Sequence, residues 1–573
     1  GPARGGGSRG RGVARMAGAG SLRLVEPGLV LESTSPDETW RRGWGILLAP
    51  RAPRPPPRGG GGRAGASGAA DVVVEAVGPL EEVRRRAEAL AEQWGPCEVL
   101  RLPEQAFAPG FVNAHSHAFQ IALRGRGECY GGWARTSGSH DFWTWRAEMY
   151  RLVERIDRAE MFRHCTQAFR EMLQAGITCV GEFHYLHHPA EAAAGAQGSD
   201  EGCTYELDDV LVEAAQAAGI RLVMLCTHYE RTGFGGQPVS GPQRRFFSPS
   251  TDGLAAHVAR MEAKYDATLD GGDHPAVTFG FAAHSLRATG LPDLVALSDE
   301  CLSRGAKLHV HLEEQTEEVD SCKRHHQGAT PMSLLLGALP GRLDHVTAVH
   351  CTHTLPMELA EFVGRGGRVC VCPATEGALG DGIPPLGDEN VAFAAAVRCK
   401  VQAHLWEEDG GGGERGEPLG DSYVCLGTDC NASIDFQSEM RWLEYGQRLR
   451  FRRRGVLTHL APMYFGARRP EGRPPDAPPS LDLGTTVPVS WQLFQAATLG
   501  GARSLGVDAG HVAPQALADF CALDLAHPLL REAAAGSEDL PSERLLDLLV
   551  FTGAPGAVAA AWVNGRPAWE REK

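Results

Sequence analysis

Short apolar runs rich in β-branched residues recur along the chain. Each ends in a cluster of polar residues and is followed by a helical segment. Continuous apolar strands that alternate with helices predict a parallel sheet covered by helices, and eight such units predict a closed (β/α)8 barrel. The eight runs are Gly110–Asn113, Ile177–Phe183, Arg221–Cys226, Val277–Ala283, Lys307–Leu312, Val346–Val349, Arg368–Cys372 and Tyr423–Gly427.

An open, doubly wound sheet is the nearest alternative to this barrel. A dinucleotide-binding fold of that kind needs a Gly-x-Gly-x-x-Gly turn after its first strand, and none is present there. The barrel is therefore favoured. Catalytic residues of such barrels lie at the C-terminal ends of the strands, so the polar clusters that follow the runs become the candidate site.

The regions that flank the barrel predict a small β-rich domain built from both termini. Its N-terminal part spans residues 21–108 and its C-terminal part spans 516–573, with the barrel at 109–515 between them. A Pro-rich and Gly-rich stretch at 51–68 predicts a flexible insertion, and Gly/Pro-rich or Gly/Ala-rich stretches at 192–202 and 410–420 predict surface loops. The start, residues 1–20, is rich in Gly and Arg and predicts disorder.

The charge of the chain is unevenly distributed. The 573 residues carry a net charge of −15, yet residues 1–70 hold eleven arginines against four acids, which leaves about −22 for the rest. An acidic body disfavours nucleic acid and anionic membranes as partners, because both are bound chiefly through Lys and Arg. No apolar run is long enough to span a membrane, and no secretory signal is present. We expect a cytoplasmic protein; the Arg-rich start would also suit organelle import or a translation artefact upstream of Met16.

The cysteines do not predict a disulfide framework. There are fifteen, and no Cys-x-x-Cys pair occurs, which excludes zinc ribbons and thioredoxin-like motifs and favours a reducing compartment. Most lie in apolar runs as small core residues.

Four of the predicted strands end in residues that can bind a metal. His115 and His117 follow the first strand, His311 ends the fifth and Asp429 follows the eighth. Three imidazoles and one carboxylate, with water at an open position, make a catalytic metal site, for which one zinc ion is the first expectation. The same ligands also admit Fe, Mn, Co or Ni. His350 ends the sixth strand, beside this set.

This pattern resembles the amidohydrolase superfamily, whose barrels place His-x-His after strand one, His after strands five and six, and Asp after strand eight. Members with two metals usually need a carboxylated Lys after strand four. That strand here ends Ala283-His284-Ser285, and none of the five lysines lies there. The resemblance thus implies one divalent ion and gives Glu314 the role of the proton-shuttling carboxylate.

Five longer strings narrow the resemblance. They begin at Phe142 (FWTWR), Glu182 (EFHYLHH), His284 (HSLR), Thr375 (TEGALGDG) and Arg441 (RWLEYGQR). These strings resemble motifs of the formimidoylglutamate deiminase family, which hydrolyses N-formimidoyl-L-glutamate to N-formyl-L-glutamate and ammonia in histidine degradation.

The resemblance also implies roles for individual residues. The pocket for a small dianionic amidine would be formed by Gln120, Arg146, Tyr185, His284 and Arg287. Arg146 and Arg287 suit the two carboxylates of the substrate, because a carboxylate binds most strongly to a charged hydrogen-bond donor. We expect the metal to activate water for attack on the formimidoyl carbon, with Asp429 accepting its proton. Glu314 would carry a proton to the leaving nitrogen, and His350 would stabilise the intermediate.

Two other functions compete with this interpretation. A second deaminase of the superfamily, acting on a purine, pterin or triazine ring, shares the metal ligands, although paired arginines disfavour a neutral ring. A non-catalytic barrel that serves as a scaffold is a remote alternative, because every ligand is present. The Arg-rich helix after the eighth strand is interpreted as a solvated or dimer-facing surface, and we expect a homodimer.

Overall fold

The structure is a computed structural model. It describes residues 22–31, 39–51, 71–126, 142–190, 203–265, 275, 277–396, 398, 422–458, 488–535 and 540–572. The Gly/Arg-rich start, nearly all of the 51–68 insertion and the predicted loops at 192–202 and 410–420 lie outside these residues.

Eight parallel strands form a barrel, which confirms the predicted fold class. The barrel strands are β6 (Phe111–Ser116), β7 (Ile177–His184), β8 (Arg221–His228), β11 (Thr278–Ser285), β12 (Leu308–Leu312), β13 (Val346–His350), β14 (Arg368–Val371) and β15 (Val424–Leu426). Neighbouring strands pair in parallel in the order β15-β14-β13-β12-β11-β8-β7-β6. The ring closes where a parallel bridge joins Ser116, at the end of β6, to Asp429.

The barrel strands coincide with the apolar runs because they are covered on both faces. Every residue of β6, β7, β8, β12, β13, β14 and β15 is buried, as expected of a parallel sheet. Close packing also leaves no room for a side chain at Gly427, two residues before Asp429. A Cβ added at Gly427 would lie 2.7 Å from the Cβ of His115 and 2.8 Å from the sulfur of Cys372, so glycine is required there.

Helices surround the barrel, and some of them begin with a side-chain cap. The side chain of Asp157 accepts a hydrogen bond from the backbone N–H of Glu160 in a capping box, and that of Asp435 accepts from the backbone N–H groups of Gln437 and Ser438. The helices are α1 (Leu80–Trp94), α2 (Phe142–Arg155), α3 (Arg158–Gln174), α4 (Glu206–Ala218), α5 (Thr251–Lys264), α6 (Leu291–Arg304), α7 (Thr316–His325), α8 (Pro331–Ala338), α9 (Pro356–Gly364), α10 (Pro373–Leu379), α11 (Phe436–Phe451), α12 (Val489–Gln495), α13 (Gly501–Leu505), α14 (Pro528–Ala534) and α15 (Ser542–Asp547).

A second sheet combines strands from both ends of the chain. Its main path runs β17-β2-β1-β5-β16-β18-β19, and β3 joins β1 to β4. This is the small β domain that the flanking regions predict. The strands are β1 (Arg23–Leu31), β2 (Thr39–Arg41), β3 (Trp44–Pro50), β4 (Val72–Pro79), β5 (Glu98–Pro109), β16 (Phe520–Asp524), β17 (Leu540–Pro541), β18 (Val558–Val563) and β19 (Arg566–Glu570); a short hairpin, β9 (Arg231–Thr232) with β10 (Gln237–Pro238), lies outside both sheets.

Buried ion pairs join the two sheets. Arg221, at the start of β8, donates to Asp519 at 2.6 and 3.1 Å and to Asp71 at 3.1 Å. All three side chains are buried. These contacts hold the small sheet against the N-terminal end of the barrel strands, opposite the end that carries the candidate site. The domain limits at 108 and 516 remain predictions; β5 ends at Pro109 and β16 begins at Phe520.

Candidate active site

Three histidines and one aspartate converge at the C-terminal end of the barrel. The Nε2 atoms of His115 and His311 are 3.1 Å apart. Asp429 Oδ1 lies 3.5 Å from Nε2 of His115 and 3.4 Å from Nε2 of His117. These residues come from β6, β12 and the turn after β15, so strands distant in the sequence supply one group of donors.

Backbone carbonyl groups orient two of the imidazoles. His117 Nδ1 donates to the carbonyl oxygen of Phe183 at 2.9 Å, and His311 Nδ1 donates to that of His284 at 2.9 Å. With the proton held on Nδ1, each Nε2 keeps a free lone pair that faces the other donors. Burial lowers the pKa of His117 and His311 and brings that of His115 to about 3. The rings are therefore neutral, as metal ligands must be.

The carboxylate of Asp429 is ionised among these neutral rings. Burial opposes its charge, but the hydrogen bond from His115 and the nearby imidazoles hold its pKa below the usual range. A ring nitrogen of each of His115, His117 and His311 lies within 4.8 Å of the others, and Asp429 adds one negative charge beside them. Such a donor set suits a divalent cation. The donor set fits the predicted metal.

The backbone is strained at the strand ends that carry the site. His350 has φ of 76° and Asp429 has φ of 47°, and Glu313, beside Glu314, has φ of 55°. Such left-handed conformations are costly for residues other than glycine and persist only where the surroundings impose them.

A network of polar side chains imposes the conformation of Asp429. Asn431 donates to Ser116 Oγ at 3.1 Å and to the carbonyl oxygen of Asp429 at 3.0 Å, and its Oδ1 accepts from Thr428 at 2.7 Å. Asn113 donates to the hydroxyl oxygen of Thr428 at 2.7 Å. The network joins the first and eighth barrel strands. Sequence reasoning missed Asn113 and Asn431, because neither residue type is a metal ligand.

Glu314 and His350 lie beside the donor set. His350 Nε2 is 3.9 Å from Glu314 Oε1 and 3.8 Å from Asp429 Oδ2. On the other side of the ring, Nδ1 donates to Glu376 Oε1 at 3.3 Å. Burial raises the pKa of Glu314 to about 7, a value suited to proton transfer near neutral pH. Sequence reasoning gave Glu376 no role, although it lies in the string that begins at Thr375.

A second acid that sequence reasoning missed supports the first barrel strand. Glu182, near the end of β7, accepts a hydrogen bond from the backbone N–H of Ala118, one residue after His117. Burial raises its pKa to about 8. A carboxyl group in an otherwise apolar strand is the signal that could have identified it.

The structure brings the predicted substrate residues to one small chamber above the donors. The chamber has a volume of about 50 Å³ and includes all the predicted site residues except His115, which lies beneath them. Gln120 donates to the hydroxyl oxygen of Tyr185 at 2.8 Å. An outer cavity of about 460 Å³ shares Arg146, His284 and Arg287 with the chamber. The two arginines therefore lie where the chamber opens.

Each of the two arginines has a distinct environment. Arg146 lies over the rings of Trp143 and Tyr150, at 5.3 and 5.1 Å from their centroids. Burial opposes its charge, but Tyr150, Tyr229 and Glu314 outweigh it and raise the pKa of Arg146. Arg287 Nε is 3.7 Å from the buried Glu318. Both guanidinium groups can thus stay charged in a largely buried position.

No lysine within the described ranges lies at the donor set. Lys307 precedes β12 at the opposite end of the barrel and donates to the carbonyl oxygen of Asp344 at 3.2 Å. Lys264 pairs with Asp209 at 2.8 Å. The thirteen cysteines in this part of the chain are all free thiols. Of the described helices, none has the length and apolar character needed to cross a membrane.

Comparisons with known proteins agree with the fold and the donor set. A profile of the amidohydrolase family matches residues 107–399. Formimidoylglutamate deiminase of Pseudomonas aeruginosa is 34% identical over 86% of this chain and 89% of its own. A 5-methylthioadenosine/S-adenosylhomocysteine deaminase of Symbiobacterium thermophilum is 25% identical over 81% of this chain and 80% of its own.

A solved structure has the same fold. The crystal structure of an amidohydrolase from Brucella melitensis aligns with a TM-score of 0.64 and 25% identity over 96% of each chain. The amidohydrolase family is metal-dependent, and the imidazoles of His115, His117 and His311 form a candidate metal site here. The chain belongs to the amidohydrolase family and is a hydrolase that acts on carbon–nitrogen bonds.

Proposed function

We propose that the protein hydrolyses N-formimidoyl-L-glutamate to N-formyl-L-glutamate and ammonia. The observation that carries this proposal is the placement of Arg146 and Arg287 where the small chamber opens, above the His and Asp donors. A linear dianion can extend its amidine group into the chamber while its carboxylates meet the guanidinium groups. The similarity to the deiminase of Pseudomonas aeruginosa supports the same substrate.

The acidic body makes these two arginines important for recognition. With a net charge of −15, the protein repels small anions unless a local group reverses the sign of the potential. Arg146 and Arg287 provide that group, and His284 is common to the chamber and the outer cavity. The Gln120–Tyr185 pair, joined at 2.8 Å, forms part of the chamber wall and would orient the chain between the amidine and the carboxylates.

One zinc ion would be held by His115, His117, His311 and Asp429. Three nitrogens and one oxygen leave an open position, the arrangement of a catalytic zinc site. A divalent ion bound there would lower the pKa of a water molecule to about 7 and so supply a nucleophile at neutral pH.

The side chains around this position move the protons. Asp429 Oδ2, which faces His350 at 3.8 Å, can accept a proton from the attacking water. Glu314, with a pKa raised by burial to about 7, can pass a proton to the leaving nitrogen. His350, held through Nδ1 by Glu376, presents Nε2 to the tetrahedral carbon intermediate. Water adds to the formimidoyl carbon, the bond to the terminal nitrogen breaks, and ammonia leaves.

The first test is an assay of ammonia release from N-formimidoyl-L-glutamate. 5-Methylthioadenosine and isoxanthopterin are assayed separately under the same conditions. We expect turnover of the linear amidine and little release from the ring substrates. Faster release from either ring would favour the alternative deaminase function, which the similarity to the Symbiobacterium enzyme keeps as the second candidate.

A variant makes the test specific to the arginines. Arg287→Gln should raise KM for formimidoylglutamate by about 10-fold to 150-fold, the equivalent of about 1.5–3 kcal/mol for a charged hydrogen bond. It should leave the KM of an N-alkylformamidine that lacks carboxylates unchanged. Arg304→Gln is the control, because Arg304 pairs with Glu300 and Glu262 away from the chamber. An equal loss for both amidines would exclude carboxylate recognition by Arg287.

The predicted homodimer is supported by one exposed face of α11. Trp442 and Leu449 on this helix are 52% and 74% exposed, and Tyr445 lies between them in the sequence. Large apolar side chains grouped on a surface are characteristic of protein interfaces. Light scattering should give twice the mass of the chain, and Leu449→Glu should reduce the measured mass to that of one chain.

A cytoplasmic location, with organelle import through the Arg-rich start as the alternative, remains a prediction.

A further inference from the structure

Three consecutive barrel strands end in a second group of metal-binding side chains. His350 ends β13, Cys372 follows β14 and Asp429 follows β15. A ring nitrogen, the sulfur and a carboxylate oxygen of these residues lie within 4.8 Å of one another, and all three side chains are buried. Cys372 has no part in the proposed deimination and does not line the chamber.

The two oxygens of Asp429 face different groups. Oδ1 lies 3.4 Å and 3.5 Å from the Nε2 atoms of His117 and His115, whereas Oδ2 lies 3.8 Å from Nε2 of His350. One carboxylate can therefore contact two neighbouring cations, one through each oxygen. The second position lies on the side of β13 and β14.

Glu376 holds the other two members of this group. Its Oε1 accepts a hydrogen bond from Nδ1 of His350 at 3.3 Å and another from the backbone N–H of Cys372 at 3.0 Å. The hydrogen bond from Nδ1 leaves Nε2 as the ring nitrogen that faces Asp429, at 3.8 Å from Oδ2. A carboxylate that fixes the tautomer of a histidine in this way is a common partner of metal ligands.

The sulfur determines which cations the group would bind. Thiolate ligands select soft and borderline ions such as Cd²⁺ and Zn²⁺, whereas the His and Asp donors of the first site do not make this selection. A thiol that coordinates such an ion loses its proton to solvent, so binding releases one proton and involves no electron transfer.

We propose that His350, Cys372 and Asp429 form a second cation site for thiophilic divalent ions. Occupation of this site inhibits the enzyme, because it withdraws His350 and Asp429 from the reaction. The inhibition, but not the binding, rests on the proposed function, and the experiment measures the two separately.

The experiment adds Cd²⁺ to protein that already holds one equivalent of zinc. Ultraviolet absorption of the cadmium–thiolate bond reports binding without an activity assay. We expect it to rise to one equivalent and deiminase activity to fall in parallel. Cys372→Ser should lose the absorption and remain active at the same Cd²⁺ concentration. Cys370→Ser and Cys425→Ser are matched controls. Both thiols pack in the same buried cluster as Cys372, but neither belongs to the group formed with His350 and Asp429.

Two further measurements keep the proposal open to contradiction. Cys372→Ala should reproduce the loss of absorption, in case the serine variant fails to fold. Glu376→Gln should weaken Cd²⁺ binding by about 10-fold to 100-fold, as expected when the partner of a metal ligand is removed. Absorption that persists without Cys372, or none in the unmodified protein, would overturn the site. Inhibition without absorption would mean that cadmium replaces the zinc at the first site.

Discussion

Two buried clusters of this protein have the same composition and different chemistry. The first consists of His115, His117, His311 and Asp429. The second, which we call the Asp208 cluster, consists of Asp208 on α4 with His184, His187 and His257. Each contains three imidazoles and one carboxylate, and every side chain in both is buried.

The clusters differ in where the ring protons lie. In the Asp208 cluster the rings donate to the carboxylate, at 3.1 Å from His184, 2.9 Å from His187 and 2.9 Å from His257. His187 also donates through Nε2 to the carbonyl oxygen of Thr227 at 2.9 Å. Both of its nitrogens therefore carry protons. Burial opposes this charge, but Asp208 outweighs it and raises the pKa of His187.

In the first cluster the ring protons of His117 and His311 point away from the carboxylate. Because His117 and His311 donate through Nδ1 to carbonyl groups, their Nε2 lone pairs converge on the centre. These lone pairs favour a bound cation, whereas the Asp208 cluster is already neutralised by the charge on His187. The number of ligands thus does not identify a metal site; the hydrogen bonds of the outer ring nitrogens do.

The strongest test of this comparison removes one imidazole of the first cluster. His311→Ala should abolish both the bound metal and the deiminase activity, because an incomplete donor set no longer holds the ion. Metal analysis by mass spectrometry and the ammonia assay measure the two effects. His309→Gln is the control, since His309 is buried on the same strand and donates instead to the carbonyl oxygen of Ser504 at 3.1 Å. Metal retained by His311→Ala would contradict the assignment.

The next largest effect concerns the proton carrier. Glu314→Gln should lower kcat by about 10²-fold to 10⁴-fold while the metal stays bound, because the amide cannot transfer a proton. Glu313→Gln is a matched control. Burial raises the pKa of Glu313 to about 7 as well, yet its Oε1 accepts from the backbone N–H of Met332 at 2.9 Å. Equal losses in both variants would remove the specific role of Glu314.

The fold could be predicted from the sequence because its signal is local. Each barrel strand is a mainly apolar run such as Ile177–Phe183, buried on both faces, and the polar residues that end the runs mark one edge of the barrel. The candidate ligands His115, His117, His311 and Asp429, which remain a prediction, could be proposed from the sequence for the same reason. Their types are chemically distinctive, and each lies at or just after the C-terminal end of a strand.

The Asp208 cluster could not be predicted, because it depends on how a helix docks. Asp208 and Asp209 are neighbours at the start of α4, and only the packing of the helix buries the first and leaves the second partly exposed. His257 comes from a different helix, α5. Asn431 and Glu376 were missed for a related reason, since their roles arise from the groups they contact.

Removal of the carboxylate tests the Asp208 cluster directly. Asp208→Asn should lower the free energy of unfolding by about 3–5 kcal/mol, because it leaves the charged His187 buried without its partner. The bound metal should stay at one equivalent. Asp209→Asn is the control. Asp209 accepts from Tyr265 at 2.6 Å near the surface, so its loss should cost about 1 kcal/mol or less. Loss of metal in Asp208→Asn would show that the two clusters are alike.

The smallest effect is a pH dependence that separates His187 from its neighbour. Because Asp208 raises the pKa of His187 above 6.5, the pair stabilises the fold fully below 6.5 and loses this contribution as pH rises through the raised value. The difference in unfolding free energy between the unmodified protein and His187→Gln should therefore shrink with increasing pH. His188 donates to the carbonyl oxygen of Phe247, and burial lowers its pKa to about 4. Above pH 6.5 it is neutral in both the folded and the unfolded protein, so the difference for His188→Gln should stay constant there. Parallel pH profiles for the two variants would mean that His187 is neutral, and the Asp208 cluster would then lack the charge that makes a metal unnecessary.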